Sequence, residues 1–183
     1  FRALARLNVS GEPFDPGAGL ETAFALTDAA DWAGDTGVID EGKLCWNRES
    51  PKDGGIALKN ALSAATKTLL TFDYAAAGER TRSSERYAEI EWSGVTLRLS
   101  AGGMAVAVLE DGETRLAARL MPKQSILESY ALLRDGRTLT LWKNGEKLGT
   151  VKTQSLPESG ALRVVWHDFA HLNEIRNFTC KIG

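Results

Sequence analysis

Apolar and polar side chains alternate with a period of two along much of this chain. Leu70, Phe72 and Tyr74 alternate with Leu69, Thr71 and Asp73. Ala88, Ile90 and Trp92 alternate with Tyr87, Glu89 and Glu91, and Val95, Leu97 and Leu99 with Thr96, Arg98 and Ser100. Successive side chains of a strand point to opposite faces, so each run predicts a strand with one buried face. Turn residues stand between the runs: Ser93-Gly94, Ala101-Gly102-Gly103, Asp111-Gly112, Asp135-Gly136 and Asn144-Gly145. Asn-Gly and Asp-Gly pairs supply the positive φ angles that tight hairpins require. The chain from Thr68 to Thr153 therefore reads as a meander of short antiparallel strands, spaced as in a sandwich or barrel.

Two further runs close the chain. Leu162, Val164 and Trp166 form one inward set. In the last run Ile175 is followed by Phe178, Cys180 and Ile182, and this slip of phase at Arg176-Asn177 predicts a β-bulge. Helical signals are few. Lys59 to Lys67 fits a short helix or a structured loop, and Leu20 to Ala30 fits a turn of helix or an early strand. Residues 1–20 carry Gly11, Pro13, Pro16, Gly17 and Gly19 and read as a linker or irregular lead-in to a single domain over 21–183.

Composition narrows the class. Of the 183 residues 43% are apolar and 25% charged, which fits a folded globular chain and excludes a disordered one. The 22 basic and 24 acidic residues leave a net charge of -2, a balance that gives no electrostatic reason to expect nucleic acid and leaves room for a local patch. No apolar run approaches the roughly 20 residues of a membrane helix. A start at Phe1 with no signal segment predicts a mature form or an excised domain. Cys45 and Cys180 are too few for a disulfide scaffold. Leu44 and Trp46 look inward, which turns Cys45 outward, while Cys180 alternates inward; free thiols are expected. The glycosylation triplet occurs at Asn8-Val9-Ser10 and Asn177-Phe178-Thr179, where it matters only in a secreted eukaryotic protein.

Three stretches resemble a known superfamily. They are Tyr130 to Gly149, with its Asp-Gly and Asn-Gly turns around a strand ending in Trp142; Asp31 to Leu44, with Trp32 and an acidic-Gly-Lys-Leu turn; and Glu174 to Phe178. Together they resemble concanavalin A-like lectin/glucanase domains, laminin-G-like ones in particular. The resemblance implies an all-β jelly-roll sandwich of two antiparallel sheets, one flat and one concave. It also implies a non-catalytic recognition domain of a larger secreted or cell-envelope protein, with a glycan as the first ligand. A polysaccharide-active enzyme and a structural or protein-binding module are the rival readings.

Several groups could carry chemistry. Tyr87, Glu89 and Glu91 share one strand face, alternate residues lying about 7 Å apart. The glucanases that the chain resembles place three alternating acids on such a strand as nucleophile, helper and general acid. Here Glu89 and Glu91 match part of that pattern, and the third position falls on Ser93 or Tyr87. A retaining glycosidase needs carboxylates about 5 Å apart; two solvated acids paired with Arg98 are the plainer expectation, and a sugar-contacting role for Tyr87, Glu89, Glu91 and Arg98 is the next. Trp142 alternates with buried Leu139 and Leu141, so it faces outward and could stack on a sugar. Asp28, Asp31, Asp35 and Asp40, chiefly Asp31 and Asp35, could hold the calcium that several members of the superfamily bind. His167 and His171 stand four apart but read as a loop between strands. Arg80, Arg82 and Arg86 with Ser83 and Ser84 could grip an acidic polysaccharide or phosphate, but a solvated loop is the better expectation, because net charge gives no wider support.

Overall fold

A computed structural model describes residues 14–26, 28–76, 85–121, 126–169 and 172–183. The described residues form fifteen strands: β1 (Glu21–Ala25), β2 (Trp32–Gly34), β3 (Ile39–Asp40), β4 (Lys43–Cys45), β5 (Asp53–Leu58), β6 (Lys67–Ala75), β7 (Tyr87–Trp92), β8 (Val95–Ser100), β9 (Ala105–Glu110), β10 (Glu113–Arg119), β11 (Glu128–Asp135), β12 (Thr138–Lys143), β13 (Glu146–Lys152), β14 (Arg163–His167) and β15 (Glu174–Ile182). Leu20 to Ala30 holds both forms expected of it, a strand at β1 and a 3-10 turn at Ala29–Asp31. Lys59 to Lys67 is a loop that leads into β6, fastened by a bridge between Leu62 and Gly160. No helix among the described residues is long and apolar enough to cross a membrane.

The strands form two antiparallel sheets. One has seven strands in the order β10-β9-β8-β7-β14-β5-β2. The other has eight, in the order β13-β12-β11-β6-β15-β4-β3, with β1 also paired to β15. The expected meander is therefore split. The chain leaves the eight-stranded sheet after β6, lays down β7 to β10 side by side in the other sheet, and returns with β11 to β13. Alternation tells which side of a strand is buried, and this crossing leaves no mark on it.

The hairpins close on the expected turns. Both central residues have positive φ at Ser93-Gly94 (50° and 76°), Asp111-Gly112 (52° and 77°) and Asn144-Gly145 (53° and 79°), the geometry that matches strand twist. The expected bulge is present: Arg176 opposes Asp73 and Thr179 opposes Thr71, so three steps on β15 meet two on β6. The extra residue, Asn177, takes φ 52°. This keeps both Ile175 and Phe178 at 0% exposure.

The core lies between the sheets and is built from the predicted inward sets, with Trp32, Trp46, Trp166, Phe72, Phe169 and Phe178 as its largest members. Trp46 meets Phe169 edge-on at 4.9 Å and Trp166 at 5.6 Å, arrangements favoured by the ring quadrupoles. Polar ties cross the same space. The Tyr74 hydroxyl donates to the carbonyls of Ser100 and Ala101 at 3.0 and 3.2 Å, and the Trp92 indole N–H donates to Cys180 Sγ at 3.2 Å.

At one rim Arg134 is completely buried. Its guanidinium donates to the carbonyls of Ser93, Gly136 and Ser155 and to the Thr153 and Ser155 hydroxyls. Burial lowers its pKa, opposed by the charges of Glu110 and Glu158. Beside it, the Glu110 carboxylate accepts from the N–H groups of Gln154 and Ser155 and from the Ser155 hydroxyl, with Arg115 at 3.2 Å. Burial alone would raise the Glu110 pKa, but these donors outweigh it and hold the group at about 2. The edge between β10 and β13 is closed by shape: Leu116 packs against Gly149, where an added Cβ would lie 2.6 Å from Leu116 Cδ1.

Candidate functional site

Tyr87, Glu89 and Glu91 project from β7 on the outer face of the seven-stranded sheet, because Ala88, Ile90 and Trp92 occupy the core side. Register places Arg98 of β8 directly across from Glu89 and Arg163 of β14 directly across from Glu91. The Arg98 guanidinium meets Glu89 Oε1 at 2.6 and 2.8 Å, and its carbon lies 4.4 Å from the centre of the Tyr87 ring, a cation–π contact. Arg163 binds Glu91 at 2.9 Å. Further along, Arg86 binds Asp168 at 2.5 Å and His167 pairs with Asp53. The structure thus brings Tyr87, Glu89, Glu91 and Arg98 together as a lattice of internally paired charges. Each of the two glutamates is held by its own guanidinium, and Glu91, but not Glu89, lines a shallow 270 Å³ depression with Ser93, Gly94 and Glu158.

Trp142 lies elsewhere. It is on β12, so it faces out from the eight-stranded sheet, on the opposite side of the sandwich. Cross-strand pairing sets Trp142, Ala131, Thr71 and Thr179 in one outward row over four strands. The next row carries Ser129 and Asp73, with Asn144 beyond the end of β12 and Asn177 at the bulge. Ala131 is small, so the sheet dips beside the Trp142 ring. The Phe14 ring stands edge-on to Trp142 at 5.7 Å, and the segment Phe14–Leu20 lies over Leu69, covering it to 2% exposure; a Cβ at Gly17 would lie 2.7 Å from Leu69 Cδ2. The result is a groove of 410 Å³ between this segment and the sheet, within the usual range for small-molecule sites.

The floor of the groove is a hydrogen-bonded cluster. Asp73 Oδ1 accepts from the Ser129 hydroxyl at 2.6 Å, and Asp73 Oδ2 accepts from the Asn177 side-chain amide at 2.7 Å. The Ser129 N–H donates to Asn144 Oδ1 at 3.0 Å. Asn177 reaches Asp73 because the bulge turns it there, a known use of bulges. An aromatic ring beside a carboxylate, two amides and a hydroxyl can stack on an apolar ring face while fixing hydroxyl groups. Sequence reasoning picked out Trp142 but passed over Asp73, Ser129 and Asn144. Asn144 read only as a turn and Asn177 as a bulge and the start of a glycosylation triplet; their convergence depends on a register that no local pattern reveals.

The other expected groups are dispersed. Asp28 Oδ1 caps a 3-10 turn by accepting from the Ala30 N–H at 3.0 Å, Asp35 Oδ2 accepts from the Gly55 N–H at 3.1 Å, and Asp40 sits 3.7 Å from Lys43. The Asp31 carbonyl accepts from the Lys59 N–H. Among the described residues no three His, Cys, Asp or Glu side chains converge to hold a metal ion. Calcium takes six to eight oxygens, backbone carbonyls among them, and Asp31 and Asp35 join no such side-chain cluster. Both cysteines are free thiols, and burial raises the pKa of each. His171, Arg80, Arg82, Ser83, Ser84 and the Asn8 triplet lie outside the described residues.

No family model matches the chain, and no curated protein matches it. Solved structures do. The carbohydrate recognition domain of Emp47p superposes with a TM-score of 0.69 at 13% identity, covering 93% of this chain and 100% of that one. The exoplasmic/lumenal domain of VIP36, in its Ca2+/Man3GlcNAc-bound form, gives 0.67 at 10% identity, covering 88% and 89%. The carbohydrate-binding module CBM66 from Bacillus subtilis gives 0.56 at 10% identity, covering 82% and 95%. Identities this low speak for fold alone. The fold is the concanavalin A-like jelly roll that the sequence resembled.

Proposed function

We propose that this chain is a non-catalytic carbohydrate-binding domain and that it binds saccharide in the groove beside Trp142. The observation that carries this reading is the groove itself: a half-buried indole next to the hydrogen-bonded set of Asp73, Ser129, Asn144 and Asn177. Aromatic rings with a few placed polar groups are the usual makeup of a ligand site. The likeness to a carbohydrate recognition domain and to a carbohydrate-binding module supports the same ligand class. The likeness to a lumenal domain supports an extracytoplasmic setting. The pairing of Glu89 with Arg98 and of Glu91 with Arg163 favours a non-catalytic role over polysaccharide cleavage, since each acid is held by its own guanidinium and only Glu91 borders a depression, a shallow one. The reading needs no cofactor, and near-neutral charge lends no support to a nucleic-acid partner.

A glycan array screened with the wild-type chain and with Trp142→Ala tests this. The expected result is binding to a defined subset of glycans by the wild type and at least a tenfold loss in the variant. Equal binding by both would move the site away from Trp142, and a blank array across neutral and acidic glycans would refute the ligand class.

A further inference from the structure

Building on the glycan-binding reading, we propose that the groove takes a short neutral oligosaccharide, reads adjacent hydroxyls of one unit with the Asp73 carboxylate, and rejects acidic sugars at that position. Asp73 is held by neutral donors only, Ser129 and Asn177, and forms no ion pair among the described residues. Two of the cations near it are engaged elsewhere. Arg176, directly opposite on β15, is bound by Glu174 at 2.5 and 2.7 Å. Lys143, on the Trp142 strand, is bound by Glu128 at 2.9 Å. Lys181 lines the groove, as does Asp15, so two acids stand against one base along its walls.

A carboxylate has about four acceptor positions, so each Asp73 oxygen keeps capacity after its one protein hydrogen bond. Hydroxyl groups can donate to those positions in charge-assisted bonds, whereas a uronate or sulfate would place like charge against like charge. Length follows from register. Trp142 and Asp73 stand on β12 and β6 with β11 between them and one row apart along the strands, about 12 Å apart for roughly 4.8 Å per strand across the sheet and about 6.8 Å along it. One ring stacked on Trp142 therefore leaves its neighbour to meet Asp73, and a disaccharide is the smallest full occupant.

Calorimetric titration tests this with short gluco-, manno- and galacto-oligosaccharides and with the corresponding hexuronic acid oligomers. The best neutral oligomer is expected to bind at least tenfold more tightly than its uronic counterpart and than the matching monosaccharide. Asp73→Asn is expected to weaken the neutral ligand about tenfold and to narrow the neutral-over-acidic ratio, whereas Trp142→Ala weakens both ligands. Ser129→Ala, which keeps the carboxylate but removes one of its two donors, is expected to weaken neutral binding less than Asp73→Asn does; melting temperatures report the folding of each variant. Uronic oligomers binding as tightly as neutral ones to the wild type would overturn the inference even if Asp73→Asn fails to fold. So would an unchanged ratio in a folded Asp73→Asn protein. Either result leaves saccharide binding at Trp142 intact. If no oligomer of either kind binds, the glycan-binding reading falls and takes this inference with it.

Discussion

On the outer face of the seven-stranded sheet the glutamates of β7 meet arginines across the ladder, Glu89 with Arg98 and Glu91 with Arg163. On the outer face of the eight-stranded sheet Asp73 meets, among the described residues, only a hydroxyl and an amide, beside a half-buried Trp142. Both faces are made of strands whose polar residues alternate outward. They differ in what register sets opposite each charge. A guanidinium neutralises a carboxylate and fills its acceptor positions; neutral donors orient a carboxylate and leave its charge in place. An acid's partner across the ladder therefore says more about its use than does its presence on an outward face.

The inner side of the same eight-stranded sheet offers the sharpest contrast, because Arg134 is a charge with no solvent at all. Arg134→Met leaves the carbonyls of Ser93 and Ser155 without their donor at a buried rim. Each orphaned group costs about 1–3 kcal/mol, so a loss of roughly 3 kcal/mol or more is expected in urea denaturation. A loss under about 1 kcal/mol would show that the rim does not join the sheets.

Glu110 extends the comparison to pH. It accepts hydrogen bonds as Asp73 does, but from a larger set of donors, the Gln154 and Ser155 N–H groups and the Ser155 hydroxyl, with Arg115 beside it, which outweigh burial and hold its pKa at about 2. The unfolded value is about 4.3, so its contribution is complete above that pH and is lost as pH falls from about 4.3 towards 2. Glu110→Gln should flatten the dependence of stability on pH within that window. An unchanged slope would assign acid sensitivity to other carboxylates.

Smaller effects separate backbone from binding at the bulge. Asn177 holds a left-handed conformation that costs a residue with a Cβ about 1–2 kcal/mol. Asn177→Ala should destabilise by about 1 kcal/mol, since Asn tolerates this region better than most residues. Asn177→Gly should restore stability without restoring saccharide affinity, because it still lacks the amide that orients Asp73. Recovery of both would reduce Asn177 to a turn residue. The smallest effect is expected on the paired face: Glu91→Gln removes a half-exposed ion pair worth less than about 1 kcal/mol, and the difference should shrink with added salt. Saccharide binding should not change.

Much of the fold was legible in advance because burial writes itself into the alternation. The inward sets around Leu70, Ile90, Leu97 and Val164 are all core, and the phase slip between Ile175 and Phe178 marked the bulge correctly. Strands such as β2, β3 and β4 have two or three residues, too few to display a period. The candidate site was only partly legible. Alternation places Glu89 and Trp142 outward with equal clarity, yet it cannot say that the chain changes sheets after β6 and again after β10, which sets them on opposite faces. Asp73, Ser129, Asn144 and Asn177 come from four separate parts of the chain. Pairing across the ladder and one extra residue in β15 bring them together, and neither leaves a signature in any single stretch.

The central claim is that saccharide is read on the eight-stranded face and not on the paired-charge face. The most direct test is an amide and indole chemical-shift titration of the isotope-labelled chain with its best array ligand. The account predicts saturable shifts at the Trp142 indole N–H and at Ser129, Asn144 and Asn177, with Tyr87, Glu89, Glu91 and Arg98 unmoved. Shifts centred on Tyr87, Glu89 and Arg98, with Trp142 unmoved, would contradict it.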